Sequence, residues 1–253
     1  MSTGVGAALA FLAGLILGSF LNVVIHRLPR KENIATGGSR CPSCGAPIRP
    51  RDNVPVVSWL LLRGRCRSCG EPIARRYPLV ELLTGALLAA VVLAEGADSD
   101  AWLGLALVLC LVPIAFIDLD HRIIPNVITG PASILAIAIV LLTDSDSLAE
   151  HLIAGVAGAG FFFVAVMAYP RGMGMGDVKM AGMMGFFLGR DVGPAILVAL
   201  LAGSLIGAAI IARKGAKEGR KTAVPFGPFL ALGALAGLFV GDSMVEWYLD
   251  TFA

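Results

Sequence analysis

The stretch Trp102-Leu-Gly-Leu-Ala-Leu-Val-Leu-Cys-Leu-Val-Pro-Ile-Ala-Phe-Ile-Asp118 decides the fold class, because it is apolar up to its final residue. A helix needs about 20 residues to cross a bilayer, so a crossing here must extend to include Asp118. A carboxylate at a membrane boundary is a functional candidate by default. The stretch therefore predicts a membrane helix that carries a functional acid at one end.

The composition of the whole chain agrees with that prediction. Hydrophobic residues make up 57% of the chain, mean hydropathy is +0.82 and only 15% of residues are charged, whereas soluble domains carry about 25% charged residues. We expect an all-α polytopic membrane protein with about eight transmembrane helices. The predicted apolar segments are Val5 to Ile25, Leu79 to Leu93, Ala101 to Ile117, Ile123 to Leu142, Leu152 to Ala168, Leu197 to Ile211, Pro225 to Val240 and a short one, Val178 to Leu188.

The distribution of basic residues predicts the orientation. No Lys or Arg precedes the first apolar segment, which therefore reads as a retained helix rather than a cleaved signal peptide. With eight helices, nineteen of the 20 Lys and Arg fall in loops on one side, and only Arg190 falls outside them. The positive-inside rule then places the N-terminus outside and both Asp118 and Asp177 on the cytoplasmic side. Such a basic face favours anionic membrane lipid over nucleic acid as a partner.

The polar segment between the first two long apolar segments carries a metal-ligand pattern. Cys41-Pro-Ser-Cys44 and Cys66-Arg-Ser-Cys69 have the spacing of a four-thiolate zinc site. Two disulfides are the alternative, but disulfides are rare in the reducing cytoplasm. With all four positions filled by sulfur, the zinc would be structural. We therefore predict three parts: residues 1–27, a first transmembrane helix; residues 28–78, a cytoplasmic zinc-binding domain; and residues 79–253, a seven-helix membrane core.

A glycine-rich stretch, Gly172-Met-Gly-Met-Gly-Asp-Val-Lys179, precedes the short apolar segment. Eleven residues span only about 16 Å, so the stretch is expected to enter the membrane plane and to place Asp177 at the start of its helix. Two facing carboxyl groups can share one proton and act as base and acid around a water. The plainer alternatives are that Asp177 only caps its helix and that Asp118 pairs with Arg122. Lys179 either anchors to lipid phosphate or tunes the carboxylates.

Several stretches together resemble one family. The matching motifs, in chain order, are Gly18-Ser-Phe-Leu-Asn-Val-Val-Ile-His-Arg-Leu-Pro29, the two Cys pairs, Asn53-Val-Pro-Val-Val-Ser-Trp-Leu60, Arg63-Gly-Arg-Cys66, Arg76-Tyr-Pro-Leu-Val-Glu81, Ile117-Asp-Leu-Asp-His-Arg-Ile-Ile-Pro125, the Gly-x-Gly-Asp-x-Lys motif ending at Lys179, and Pro225-Phe-Gly-Pro-Phe-Leu-Ala-Leu-Gly233. The chain resembles the bacterial type IV prepilin peptidases along nearly its whole length.

The resemblance implies a GxGD-type intramembrane aspartyl protease of the bacterial inner membrane. Its catalytic aspartates would be Asp118 and Asp177, and Gly174, Gly176 and Lys179 would belong to the supporting loop. The substrates would be prepilins or pseudopilins, cut after a glycine on the cytoplasmic side. The resemblance also implies methylation of the new N-terminus with S-adenosylmethionine, without indicating which residues bind that donor.

Two other classes of function fit parts of the pattern. A transporter or ion-translocating protein would use Asp118 and Asp177 as cation or proton sites. Against it, the aspartates are expected near one face of the membrane, and the sequence has no visible inverted repeat. A non-catalytic scaffold that recruits partners through the zinc module would leave both carboxylates without a purpose. The sequence favours the protease.

Overall fold

The computed structural model describes residues 2–96, 101–169, 173–215 and 224–252. Nine α-helices are described: α1 Thr3–Arg27, α2 Val57–Leu61, α3 Arg76–Glu95, α4 Ala101–His121, α5 Asn126–Thr143, α6 Leu148–Ala168, α7 Met175–Leu188, α8 Val192–Lys214 and α9 Gly227–Phe252. Within these ranges, β pairing is confined to two isolated bridges, Arg40 with Pro47 and Arg65 with Pro72. The predicted all-α fold class is confirmed.

Within the described part of the chain, seven helical runs are long and apolar enough to cross a membrane. One of them, Met175–Lys214, contains both α7 and α8, joined by the 3₁₀ turn Gly189–Asp191. Because α7 has 14 residues, its axis is about 21 Å long, shorter than the hydrocarbon layer. The eighth helix is therefore present and short, as predicted. Gly172, the start of the glycine stretch expected to enter the membrane plane, lies outside the described residues, and that entry stays a prediction.

The chain forms two compact units, Met1–Ala101 and Trp102–Ala253. The first unit is held together by close packing of α1 on α3. A Cβ added at Gly14 would lie 2.6 Å from the Cα of Gly85, and one added at Gly18 would lie 2.8 Å from the Cα of Glu81. Small residues let these two backbones approach, as in other membrane helix pairs. The predicted division into three parts stays a prediction.

In the second unit, α7 occupies the centre. Ten of its 14 residues are buried, and it packs against α5, α6 and α9. Its largest buried side chains are Met180, Met183, Met184 and Phe187. In contrast, outward-facing residues on the surrounding helices are apolar and exposed, such as Leu142 at 84% and Leu205 at 70%. A buried central helix and an exposed apolar outer surface are both expected in a membrane protein, because lipid replaces water around its outer face.

Candidate active site

Asp118 lies in the last turn of α4 and is buried, with 5% of its surface exposed. Its Oδ2 accepts a hydrogen bond of 2.8 Å from the backbone N–H of Gly227, the first residue of α9. The helix ends at His121 because Arg122 adopts a left-handed backbone conformation with φ 55°. The N–H of Arg122 still donates to the Asp118 carbonyl at 2.9 Å, but among the described residues the two side chains form no ion pair.

Gly227 touches the Asp118 carboxylate directly. A Cβ added at this glycine would lie 2.7 Å from Oδ2 and 3.0 Å from Cγ of Asp118. Any other residue here would collide with the carboxyl group. The absence of a side chain thus lets the start of α9 donate a backbone hydrogen bond to the acid.

Asp177 is the third residue of α7, because the helix begins at Met175, earlier than the sequence indicated. Its Oδ2 accepts a hydrogen bond of 2.9 Å from the backbone N–H of Gly174, while its own N–H donates to the Gly174 carbonyl at 3.1 Å. The side chain is 8% exposed. Asp177 therefore does help to cap its helix, where the helix dipole also favours a negative charge. Capping keeps the carboxylate in a defined position and does not exclude another role.

The start of α7 lies against the segment that follows α4. A Cβ added at Gly176 would lie 3.0 Å from the Cβ of Ile124, and the Lys179 Nζ donates to Oδ1 of Asn126 at 2.9 Å. Ile124 and Asn126 follow Asp118 by six and eight residues, and Gly176 and Lys179 flank Asp177, so these contacts bring the end of α4 and the start of α7 together. The fold therefore gathers Asp118, Asp177 and their glycine donors in one region of the second unit, while Lys179 is engaged by Asn126.

Sequence reasoning did not single out two residues of this region, Gly227 and Asn126. Gly227 lies within the Pro225-Phe-Gly-Pro motif, which signals a turn but does not reveal its partner. Asn126 follows Pro125 at the start of α5 and carries no motif of its own. Both act through contacts with residues at least 53 positions away, which local spacing cannot indicate.

The four cysteines of the first unit form a candidate metal centre. Their sulfur atoms all lie within 4.8 Å of one another, and those of Cys41 and Cys69 are 3.9 Å apart. Zinc–sulfur bonds of about 2.3 Å in a tetrahedron require sulfur separations of about 3.8 Å. All four thiols are free, so the disulfide alternative is not realised. The donor set fits zinc.

Each cysteine pair is carried on the same kind of tight turn. Gly45 donates its N–H to the Cys41 carbonyl at 2.9 Å, and Gly70 donates to the Cys66 carbonyl at 2.9 Å. These glycines have φ values of +70° and +73°, a region that favours glycine. The glycine in each Cys-x-x-Cys-Gly motif therefore lets the backbone turn around the site.

The ionisation of the thiols also suits a cation. Backbone N–H groups of Cys44 and Ser43 lower the pKa of Cys41 from 9.0 to about 6. For Cys69, the backbone N–H of Glu71 lowers the pKa, but burial and the three neighbouring thiols outweigh it and raise the pKa to about 12. The Cys41 sulfur is thus ready to carry a negative charge, while the Cys69 thiol resists a second one. A divalent cation would remove that resistance, because metal ligation stabilises thiolates.

Comparison with known proteins covers both units. The sequence model of the bacterial peptidase A24 N-terminal domain matches residues 12–94, and that of the type IV leader peptidase family matches residues 105–212. The prepilin leader peptidase/N-methyltransferase of Aeromonas hydrophila is 36% identical, over 97% of this chain and 94% of the relative. The prepilin leader peptidase/N-methyltransferase of Pseudomonas aeruginosa is 34% identical, over 94% of this chain and 92% of the relative. No solved structure matches the chain. Identity of this extent over nearly the whole of both chains means that this protein, a multi-pass membrane enzyme, belongs to the type IV leader peptidase family.

Proposed function

We propose that this enzyme removes the leader peptide of type IV prepilins or pseudopilins by aspartyl catalysis, with Asp118 and Asp177 as the catalytic pair. One observation carries the proposal: the second unit holds two buried carboxylates, each accepting a hydrogen bond from a glycine N–H, at the end of α4 and the start of α7, and these two helix ends are brought together by the close approach of Gly176 to Ile124. The relatives' names supply the substrate class. Site geometry and family membership point to the same reaction.

The chemistry follows from the way such a pair ionises. Two carboxyl groups that repel each other's charge hold one proton between them, so one is a base and the other an acid. The base takes a proton from water as the water oxygen bonds to the peptide carbonyl carbon. The acid gives its proton to the nitrogen as the carbon–nitrogen bond breaks. The N–H groups of Gly174 and Gly227 stabilise the ionised oxygen in either arrangement.

The orientation that we propose puts this reaction at the cytoplasmic face of the bacterial inner membrane, with the N-terminus outside. The supporting observation is the bias of Lys and Arg toward the loops on one side. A prepilin whose apolar helix lies in the bilayer would then present the junction with its leader at the depth of the carboxylates. Cleavage would follow a glycine at that junction. The other partner is membrane lipid, and no nucleic acid takes part.

A second step, N-methylation of the new N-terminus, completes the proposal. The N-methyltransferase part of the relatives' name supports it. Bound S-adenosylmethionine would supply an electrophilic methyl group: the amine lone pair forms the nitrogen–carbon bond, the sulfur keeps the electrons of the broken bond, and the amine loses a proton. Residues 28–78 would form a domain around structural zinc held by Cys41, Cys44, Cys66 and Cys69.

The test of the peptidase step compares three substitutions in purified, detergent-solubilised protein. Asp118→Asn and Asp177→Asn keep the size and the hydrogen-bond acceptor of each side chain, and each is expected to lower cleavage of a prepilin by at least about 10²-fold. Asp120→Asn is the matched control, because Asp120 is exposed on the same helix, and it should cleave at close to the wild-type rate.

Mass spectrometry of the product gives the readout for truncation and for the added methyl group together. Thermal unfolding of each variant checks that the helices remain folded. Activity that survives either Asn substitution would remove that residue from the mechanism. Loss of activity in the Asp120 variant as well would indicate a general charge effect at the end of α4 instead.

A further inference from the structure

The first unit contains a large, partly open cavity that the peptidase proposal does not use. Its volume is about 790 Å³, and its lining comes from α1, the cysteine-bearing segment, the region around α2 and the start of α3. Cavities of roughly 300–1,000 Å³ accommodate small-molecule ligands and cofactors. The lining is mixed: the side chains of Trp59 and Ile73 are apolar, whereas Glu81 and Asn22 are polar and buried.

Glu81, in the first turns of α3, is the unusual member of this lining. Only 8% of its surface is exposed. Its Oε2 accepts a hydrogen bond of 2.8 Å from the backbone N–H of Val56, and the Ser19 side chain also donates to the carboxylate. Both donors are neutral. Among the described residues, Glu81 forms no ion pair, although a buried carboxylate is normally matched by a cation.

Three other charged groups of the lining, those of Asp52, Arg67 and Arg27, have protein partners. Asp52 receives two hydrogen bonds from the Arg67 guanidinium, at 2.8 and 2.7 Å. The Arg27 guanidinium donates to four backbone carbonyl groups, those of Asn33, Thr36, Gly37 and Gly38. These two guanidinium groups are thus engaged elsewhere, and Glu81 remains a buried acid that faces neutral donors. A ligand with a positive charge would complement it.

We propose that this cavity binds S-adenosylmethionine and that Glu81 faces its sulfonium group; this inference rests on the methylation step of the proposed function. The sulfonium is a permanent cation without N–H donors, so a carboxylate complements it by charge alone. The Trp59 indole, whose Nε1 donates to the Ile73 carbonyl at 3.1 Å, provides a fixed aromatic surface in the same cavity for the adenine ring. Glu81 is a binding residue in this proposal.

The test measures binding by isothermal titration calorimetry with full-length, zinc-loaded protein in detergent. Three ligands that differ in charge at or near the sulfur position are compared. S-adenosylmethionine carries the sulfonium, sinefungin carries an ammonium group near that position, and S-adenosylhomocysteine has a neutral sulfur. Glu81→Gln keeps an oxygen acceptor for the Val56 N–H but removes the charge. Glu32→Gln is the matched control, because Glu32 lines the same cavity and is exposed.

We expect Glu81→Gln to weaken S-adenosylmethionine and sinefungin binding by about tenfold or more, and S-adenosylhomocysteine binding by less than about threefold. The Glu32 variant should bind all three ligands nearly as the wild type does. An equal loss for all three ligands in Glu81→Gln would assign Glu81 a structural role and overturn its assignment to the sulfonium. Unchanged binding of S-adenosylmethionine would overturn it as well.

A second pair of variants tests the cavity itself. Val23 and Val24 are neighbours on α1, both half-buried, and only Val23 lines the cavity. Val23→Phe should fill space and weaken binding, whereas Val24→Phe should not. If Val23→Phe binds normally, the donor lies elsewhere.

Measuring methylation of prepilin distinguishes a failure of the cavity proposal from a failure of the proposed methylation step. A wild type that methylates prepilin, together with normal binding by Glu81→Gln and Val23→Phe, would reject only the cavity. A wild type that neither binds S-adenosylmethionine nor adds a methyl group would reject the methylation step too.

Discussion

Gly227→Ala tests whether the position of the Asp118 carboxylate matters for cleavage. The substitution adds one methyl group and leaves the backbone N–H that donates to Oδ2 at 2.8 Å. The new Cβ would lie 2.7 Å from that oxygen and 3.0 Å from the carboxyl carbon. Real Cβ atoms essentially never approach so closely, so the carboxylate or the start of α9 must shift.

The size of the effect follows from the distances. Ordinary contact begins at 3.4 Å, so the carboxylate must move by about 0.7 Å, and a misplacement of about 1 Å can cost 10²-fold in rate. We expect kcat/KM for prepilin cleavage to fall by about 10- to 100-fold. The assay is time-resolved mass spectrometry of a prepilin cleaved in detergent, with the thermal unfolding temperature measured on the same samples.

Gly130→Ala is the matched control. Gly130 lies in α5, and a Cβ added there would meet nothing within 4 Å, so the same chemical change should leave kcat/KM within about twofold. Full activity of Gly227→Ala, with normal folding, would refute the reasoning. It would mean that cleavage does not depend on the contact between α9 and Asp118.

Three further predictions concern the first unit. Cys44→Ser should lower the bound zinc measured by elemental analysis and the unfolding temperature together, and unchanged zinc content would contradict a four-thiolate site. Gly14→Leu should destabilise the protein by about 1–3 kcal/mol in denaturant unfolding, because its Cβ would lie 2.6 Å from the α3 backbone. Gly4→Leu, in open space, is its control; equal effects would contradict tight α1–α3 packing. Hydrogen bonding from Arg67 lowers the pKa of Asp52, so the stabilisation from Asp52 is present above its unfolded pKa near 3.8 and is lost as pH falls through the lower folded value. In Arg67→Ala, an NMR titration should return the Asp52 pKa toward 3.8, and an unchanged pKa would rule out the guanidinium as the cause.

The class of fold was predictable because the bilayer restricts the alternatives. Only helices and closed barrels satisfy backbone hydrogen bonds in lipid, and long uninterrupted apolar runs favour helices. The short α7 was predictable for the same reason, since eleven apolar residues cannot cross. The residue at which α7 starts was harder to predict. The helix begins at Met175, because the N–H of Gly174 bonds to the Asp177 side chain and closes the first turn.

The candidate metal centre was predictable because its information is local. Each Cys-x-x-Cys-Gly motif both turns the backbone and positions two sulfur atoms. A four-sulfur site then requires only that the two motifs lie next to each other. The close packing around Glu81 was not predictable, because it depends on α1 and α3 meeting at Gly18. The cavity and the buried Glu81 carboxylate appear only when those helices are in place.

By itself, the sequence determined that the chain crosses a membrane repeatedly as helices and that four cysteines can share a metal, and it predicted Asp118 and Asp177 as the catalytic acids. The tertiary structure alone decided which backbone groups hold those acids and which helices approach them. Gly227 reaches Asp118 across 109 positions of sequence, and the gap between them is set by the absence of a single methyl group. Hydrophobic pattern and motif spacing report on neighbours along the chain, whereas contacts of this kind depend on how distant helices pack.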